Sequence, residues 1–286
     1  MTPAHVVEIT TPKKFLLRGL WFGAKRPRRM IIFVHGLGGS AFSMRKVVDT
    51  LVDQRTAVLT FNNRGHEGIA ALRKKYPSRS LRYGGGAAHE VFTECVDDIQ
   101  GAINFVRKAG VREIYLAGHS TGCQKSMYWA YKKGGKGING IFLFAPISDW
   151  AAEMNRKGKK KILQATAIAR ALVRKGRKHA LLPEGSWHEV IDAQRFLSLY
   201  TPDSPEEIFS YAQPHKNPRV LKSIRKPVLV LWAGKDEYMD RSAKDIARWF
   251  EKHIRNGETI IIPGVKHSFR GGEKTLATHV RRFIGR

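Results

Sequence analysis

The chain has 286 residues, 42% of them hydrophobic, with two cysteines and a formal net charge of +27. That length and apolar content can bury one large core, while two cysteines exclude a disulfide framework and a cysteine-ligated metal cluster. No apolar run approaches membrane-spanning length.

From the N-terminus, Val6–Ile9 and Phe15–Phe22 read as an antiparallel hairpin at the edge of a sheet. Met30–Val34 is a strong strand that runs into His35-Gly36-Leu37-Gly38-Gly39. A backbone so rich in glycine can turn an N–H toward a carbonyl oxygen, and Leu37 is the donor this predicts. A helix is expected over Phe42–Gln54 and a strand over Ala57–Phe61. A long helix follows at His89–Lys108, where Val91, Cys95, Ile99, Ala102, Ile103 and Val106 fall on one face. Strands alternating with helices predict a mostly parallel sheet with helices on both sides.

Glu113–Ala117 is a further apolar strand, and Gly118-His119-Ser120-Thr121-Gly122 follows it at the start of a helical segment ending near Lys132. A serine on so tight a strand-to-helix turn has a strained backbone that lifts its hydroxyl clear of the sheet edge. Glycines two positions to either side leave room for the turn to pack. The helix aims its free N–H groups and positive dipole end at the same point. Ser120 is therefore the candidate nucleophile, and the N–H of Thr121 the second candidate oxyanion donor. Cys123 lies on the helix beyond the turn and reads, like Cys95, as a buried thiol.

After the strand Ile138–Phe144 the alternation breaks, from Ser148 to Lys222. Ile162–Val173 and Trp187–Leu199 look helical, and Pro202, Pro205, Pro214 and Pro218 mark turns. Trp150, Trp187, Phe196 and Tyr200 either line a pocket over Ser120 or pack this segment onto the body; packing is the simpler reading for any one of them. Pro227–Trp232 is then a short buried strand leading into Ala233-Gly234-Lys235-Asp236-Glu237, which puts Asp236 on the sheet edge shared by Ser120. Thr259–Ile262 ends at Pro263-Gly264, and His267 follows on a loop from which its imidazole can reach the serine. The order Ser…Asp…His supplies a nucleophile, a base, and a carboxylate that fixes the base's tautomer. Asp149 is the alternative acid. His253 and His279 fall on helices and are poorer bases, whereas His35, His119 and Arg64 read as groups that hold loops.

The basic residues are spread over the whole chain, in Lys25–Arg29, Arg156–Lys161, Arg174–Lys178 and Arg281-Arg282 among others. A compositional bias explains that spread, with weak association with anionic surfaces as the alternative. No nucleic-acid recognition motif and no metal-ligating histidine pair stands out. Met1–His5 lacks a basic start followed by an apolar stretch, so a cytoplasmic protein is the expectation.

These motifs carry a family resemblance. In H-G-L-G-G at 35–39, G-H-S-T-G at 118–122, G-K-D-E at 234–237 and V-K-H-S-F at 265–269 the chain resembles the α/β-hydrolases over nearly its whole length. Asn62–Gly68 is similar to the R-G-H-G loop of monoglyceride lipases and carboxylesterases, departing from it at Asn63 and Glu67. The stretches 118–124, 145–149 and 236–238 resemble a branch that includes fungal siderophore esterases.

The resemblance implies an α/β-hydrolase core at 1–147 and 223–286 with a helical cap at 148–222, inserted after the sixth strand. It implies a serine hydrolase of carboxylic esters with small to medium acyl chains, needing no cofactor. Ser120, Asp236 and His267 would be catalytic, with Leu37 and Thr121 as the oxyanion hole. Lactones and thioesters are open to the same groups, and a non-catalytic hydrolase fold binding anionic partners is the rival from another class. A serine nucleophile argues against the dehalogenase and epoxide hydrolase chemistries of this superfamily, which use aspartate.

Overall fold

A computed structural model describes residues 2–285; Met1, which opens the segment read for a leader, and Arg286 lie outside them. In chain order the strands are β1 (Ala4–Thr10), β2 (Phe15–Phe22), β3 (Arg29–Val34), β4 (Thr56–Phe61), β5 (Ala70–Lys75), β6 (Ser80–Gly85), β7 (Glu113–His119), β8 (Gly140–Phe144), β9 (Val228–Ala233) and β10 (Gly257–Ile262). The helices are α1 (Arg45–Leu51), α2 (Cys95–Lys108), α3 (Thr121–Lys133), α4 (Asp149–Lys157), α5 (Lys159–Arg174), α6 (Ala193–Tyr200), α7 (Arg219–Ser223), α8 (Ala243–His253) and α9 (Glu273–Ile284).

Alternation along the central strands builds the layers. Met30, Ile32 and Val34 of β3 join one apolar cluster with α2, α3 and α8, while Ile31 and Phe33 join another with α1 and α9. Both faces are covered, so these strands are continuous apolar runs rather than alternating ones. The sheet runs β10-β9-β8-β7-β3-β4-β2-β5-β6, with β1 on β2. From β10 to β4 all pairs are parallel, and the pairings that involve β1, β2, β5 and β6 are antiparallel. The expected mostly parallel sheet with helices on both faces is therefore present, and the β1–β2 hairpin forms as expected.

Four expectations need correction. The helix expected at His89–Lys108 begins as α2 only at Cys95, because Val91 is extended ahead of a 3₁₀ turn at Phe92–Glu94. The segment 148–222 follows the eighth strand, not the sixth, because β5 and β6 add a hairpin between β4 and α2. Its register sets Arg73 opposite Arg82 on an exposed face, so it carries no apolar stripe that would mark it as sheet. The helix expected at Trp187–Leu199 begins only at Ala193. Asp192 caps it there by accepting from Arg195 N at 2.7 Å, while Leu182 N donates to Ile191 O and holds the preceding stretch extended. Finally, α1 starts at Arg45 rather than Phe42, after Met44 takes a left-handed φ of 57°. Trp187, Phe196 and Tyr200 pack into a separate cluster with α5, and of the four aromatics considered for a pocket only Tyr200 also lines the cavity described below.

Candidate active site

Residues from four different loops meet at the carboxyl ends of the parallel strands, where a crevice is expected in such sheets. Leu37 follows β3, Ser120 follows β7, Asp236 follows β9 and His267 follows β10. Leu37, Ser120 and His267 line one cavity of about 430 Å³, together with residues of the 148–222 segment.

Ser120 carries the strain that its motif requires: φ is 54° and ψ −127°, a region unfavourable for any side chain. Its N–H donates to Phe144 O at 3.0 Å and its carbonyl accepts from Cys123 N at 2.8 Å, so both ends of the turn are pinned. The flanking glycines are required by contact. A Cβ at Gly122 would lie 2.2 Å from Val34 O, and one at Gly118 would lie 2.3 Å from Gly122 O. Gly122→Ala is thus expected to cost more than the ~1–3 kcal/mol usual for overpacking, read as a lowered urea midpoint. Thr121 is the first residue of α3, so its N–H has no intrahelical acceptor and stands at the positive end of the helix.

His267 is held from four sides. Its Nδ1–H donates to Asp236 Oδ2 at 2.7 Å, its backbone N–H donates to Glu237 Oε2 at 3.0 Å, and its carbonyl accepts from His119 Nε2 at 3.0 Å. The Tyr238 ring packs edge-on against the imidazole at 4.8 Å. With Nδ1 carrying the proton, the Nε2 lone pair is left free to accept one. Asp236 is 5% exposed and its other oxygen accepts from Tyr238 N at 3.0 Å. Asp149, the alternative acid, instead accepts from Gln124 Nε2 at 2.8 Å; burial and then the Glu206 charge push its carboxyl well up.

The other histidines occupy supporting places. Burial, followed by its neighbour His267, pushes His119 down to about 3, so it is neutral and donates to the His267 carbonyl. His35 donates from Nδ1 to Gly36 O at 2.8 Å, and burial, followed by Lys125, pushes it down to about 3 from 6.5. The unfolded chain therefore takes up a proton at His35 that the folded chain refuses. Stability from this site is complete above pH 6.5 and is lost as pH falls toward 3. In His35→Asn the unfolding free energy should fall less steeply over that window, by up to about 1.4 kcal/mol per pH unit, in urea titrations run at several pH values.

Sequence reasoning missed the groups that support this site from behind. Lys125 on α3 is fully buried and meets Glu90 Oε1 at 2.6 Å; Arg195 on α6 meets Glu90 Oε2 at 3.0 Å and Glu206 Oε2 at 2.5 Å. Burial opposes charge on Glu90, yet Lys125 and Arg195 outweigh it and hold the carboxyl below its usual range. The cluster ties the 148–222 segment to the body. Arg64 is likewise buried, against Asp98 at 2.8 Å and Asp97 at 3.1 Å, and fixes the 62–68 loop to α2. Cys95 and Cys123 are free and buried. Among the described residues no group of three or more histidines, cysteines or acids is placed to hold a metal ion, and no helix is long and apolar enough to cross a membrane.

This sheet order, with a strained serine at the β7–α3 turn, defines an α/β-hydrolase fold. Among solved structures the chain is similar to the Pyrococcus furiosus esterase Pf2001 (TM-score 0.61, 18% identity, covering 99% of this chain and 91% of that one). It is similar as well to Est1E from Butyrivibrio proteoclasticus with ferulic acid bound (0.64, 18%, 97% of each chain) and to the carboxylesterase CesB from Bacillus subtilis (0.59, 13%, 99% and 92%). Residues 78–284 match the family described as "Protein of unknown function (DUF1749)", and the chain belongs to that family. No curated protein matches it in sequence.

Proposed function

We propose that the protein hydrolyses carboxylic esters through an acyl-enzyme on Ser120. His267 Nε2 takes the hydroxyl proton as Oγ attacks the carbonyl carbon, and returns it to the departing alcohol. Water, deprotonated by the same nitrogen, then releases the acid. Asp236 keeps the imidazole in the required tautomer and stabilises the imidazolium. The N–H groups of Leu37 and Thr121 receive the oxyanion, each contributing ~3–4 kcal/mol in comparable sites.

The observation that carries this reading is the 2.7 Å bond from His267 to Asp236 at the rim of the cavity into which strained Ser120 opens. The segment 148–222 serves as a cap, since Asp149, Ala152, Glu153 and Tyr200 line the same cavity. A volume of about 430 Å³ suits acyl chains of small to medium size. Turnover of p-nitrophenyl acetate, butyrate and octanoate by wild type and Ser120→Ala tests the reading. Butyrate should be preferred to octanoate, and Ser120→Ala should lose at least about a thousandfold in kcat on each ester turned over. Equal turnover by the variant would refute it.

A further inference from the structure

The stretch from Arg156 to Lys178 carries ten basic residues and no acidic one, and α5 sorts them by helical period. Lys159, Lys160, Leu163, Ala167, Arg170 and Arg174 recur at spacings of one helical turn, so they share one face. All six are exposed. The other side of the helix is buried, where Ile162, Ala165 and Ala169 pack into the cluster that holds Trp187 and Phe196. The outer face is thus a row of cations about 20 Å long, with the apolar side chain of Leu163, 55% exposed, set among them.

The helix keeps this row against its own energetics. Lys159, Lys160 and Lys161 fill its first turn with no acidic residue beside them, at the positive end of the dipole, where cations are unfavourable. Arg170 and Arg174 stand four residues apart, a spacing at which like charges repel. Exposed arginines elsewhere have acidic neighbours, as Arg28 has Glu113, Arg248 has Asp245 and Arg282 has Glu258. Arg156 has Glu153. From Lys157 to Lys178 no basic side chain pairs with a carboxylate among the described residues. Charge placed against local rules and left without an internal partner fits an external one.

We infer that this face of α5 docks on the surface of an anionic lipid bilayer. Its lysines and arginines meet the headgroup phosphates, and Leu163 enters the boundary between headgroups and acyl chains. A nucleic acid would meet the same charge, but the face is a convex helix with no aromatic ring on which a base could stack. Arg156, three residues before the row begins, lines the Ser120 cavity, which puts the cavity's rim next to the docked face. Docking uses none of the groups assigned to catalysis and is measured without turnover, so its failure leaves the ester hydrolysis proposed above intact.

Co-sedimentation of the intact chain with vesicles tests this at physiological ionic strength. The vesicles are phosphatidylcholine alone, or phosphatidylcholine with phosphatidylserine at roughly 7:3. Binding should require phosphatidylserine. Each lysine or arginine near such a surface strengthens binding about fivefold, so the triple variant K160Q/R170Q/R174Q should bind about a hundredfold more weakly. The control K25Q/R26Q/K136Q removes the same charge from exposed positions elsewhere and should lose less than about fivefold. Leu163→Ser changes no charge and should weaken binding about fivefold. Because every substituted position is exposed, the urea midpoint should not move in any of these variants. Binding that ignores phosphatidylserine, that falls equally in both triple variants, or that Leu163→Ser leaves untouched overturns the inference. So does a chain that passes over the vesicles and binds a mixed-sequence single-stranded RNA through Lys160, Arg170 and Arg174.

Discussion

Asp236→Asn is expected to lower kcat on p-nitrophenyl butyrate by about 10⁴-fold with KM little changed. The substitution keeps the shape of the side chain, and the oxygen that accepts from Tyr238 N can remain in place. What changes is the group facing His267 Nδ1 at 2.7 Å. A carboxylate there can only accept, which forces the ring proton onto Nδ1 and leaves Nε2 bare. An amide nitrogen there donates, so the ring proton moves to Nε2, which can no longer take the serine proton. The positive charge that forms on the imidazole also loses its counter-ion. Asp149→Asn provides the contrast, because Asp149 bonds Gln124 and not His267; it should cost far less in kcat. Retention of activity within tenfold by Asp236→Asn, with loss in Asp149→Asn, would reassign the acid.

The largest stability effect is expected at Lys125→Met, a loss of about 3–5 kcal/mol. In the folded protein two cations, Lys125 and Arg195, face two carboxylates, Glu90 and Glu206, all of them buried. Removing Lys125 leaves Arg195 alone between both acids, and one negative charge is stranded out of water. Domains of this kind are stable by only about 5–15 kcal/mol, so the urea midpoint should drop sharply with an unchanged m-value. By contrast, Arg248→Ala, which breaks the exposed pair with Asp245, should leave the midpoint where it was. An unmoved midpoint in Lys125→Met would show that the buried ion cluster contributes nothing net.

How much of this was legible in the sequence follows from what each element buries. β3, β8 and β9 are covered on both faces and announce themselves as apolar runs, and β4 does so with one interruption at Thr60. The candidate site was legible for a related reason. Leu37, Ser120, Asp236 and His267 each follow such a run, and the ends of parallel strands share one edge. The β5–β6 hairpin offered no such signal, because it lies at the sheet's margin with mostly basic and exposed residues, and the Phe15 ring that Tyr83 and Lys74 pack on comes from β2. Glu237, whose carboxylate accepts from His267 N, sits beside Asp236 but nothing in its neighbours marks that role. Lys125 on α3 looks in sequence like any charged helix residue, since the acids that permit its burial arrive from distant loops.

The central claim, that the hydroxyl of Ser120 is the attacking group, is tested most directly by covalent capture. A fluorophosphonate probe, incubated with the folded protein and mapped by peptide mass spectrometry, is predicted to add one phosphonyl group to the peptide containing Ser120 and none to Ser120→Ala. An adduct on another residue, or wild-type protein that hydrolyses esters while Ser120 stays unmodified, would contradict the account.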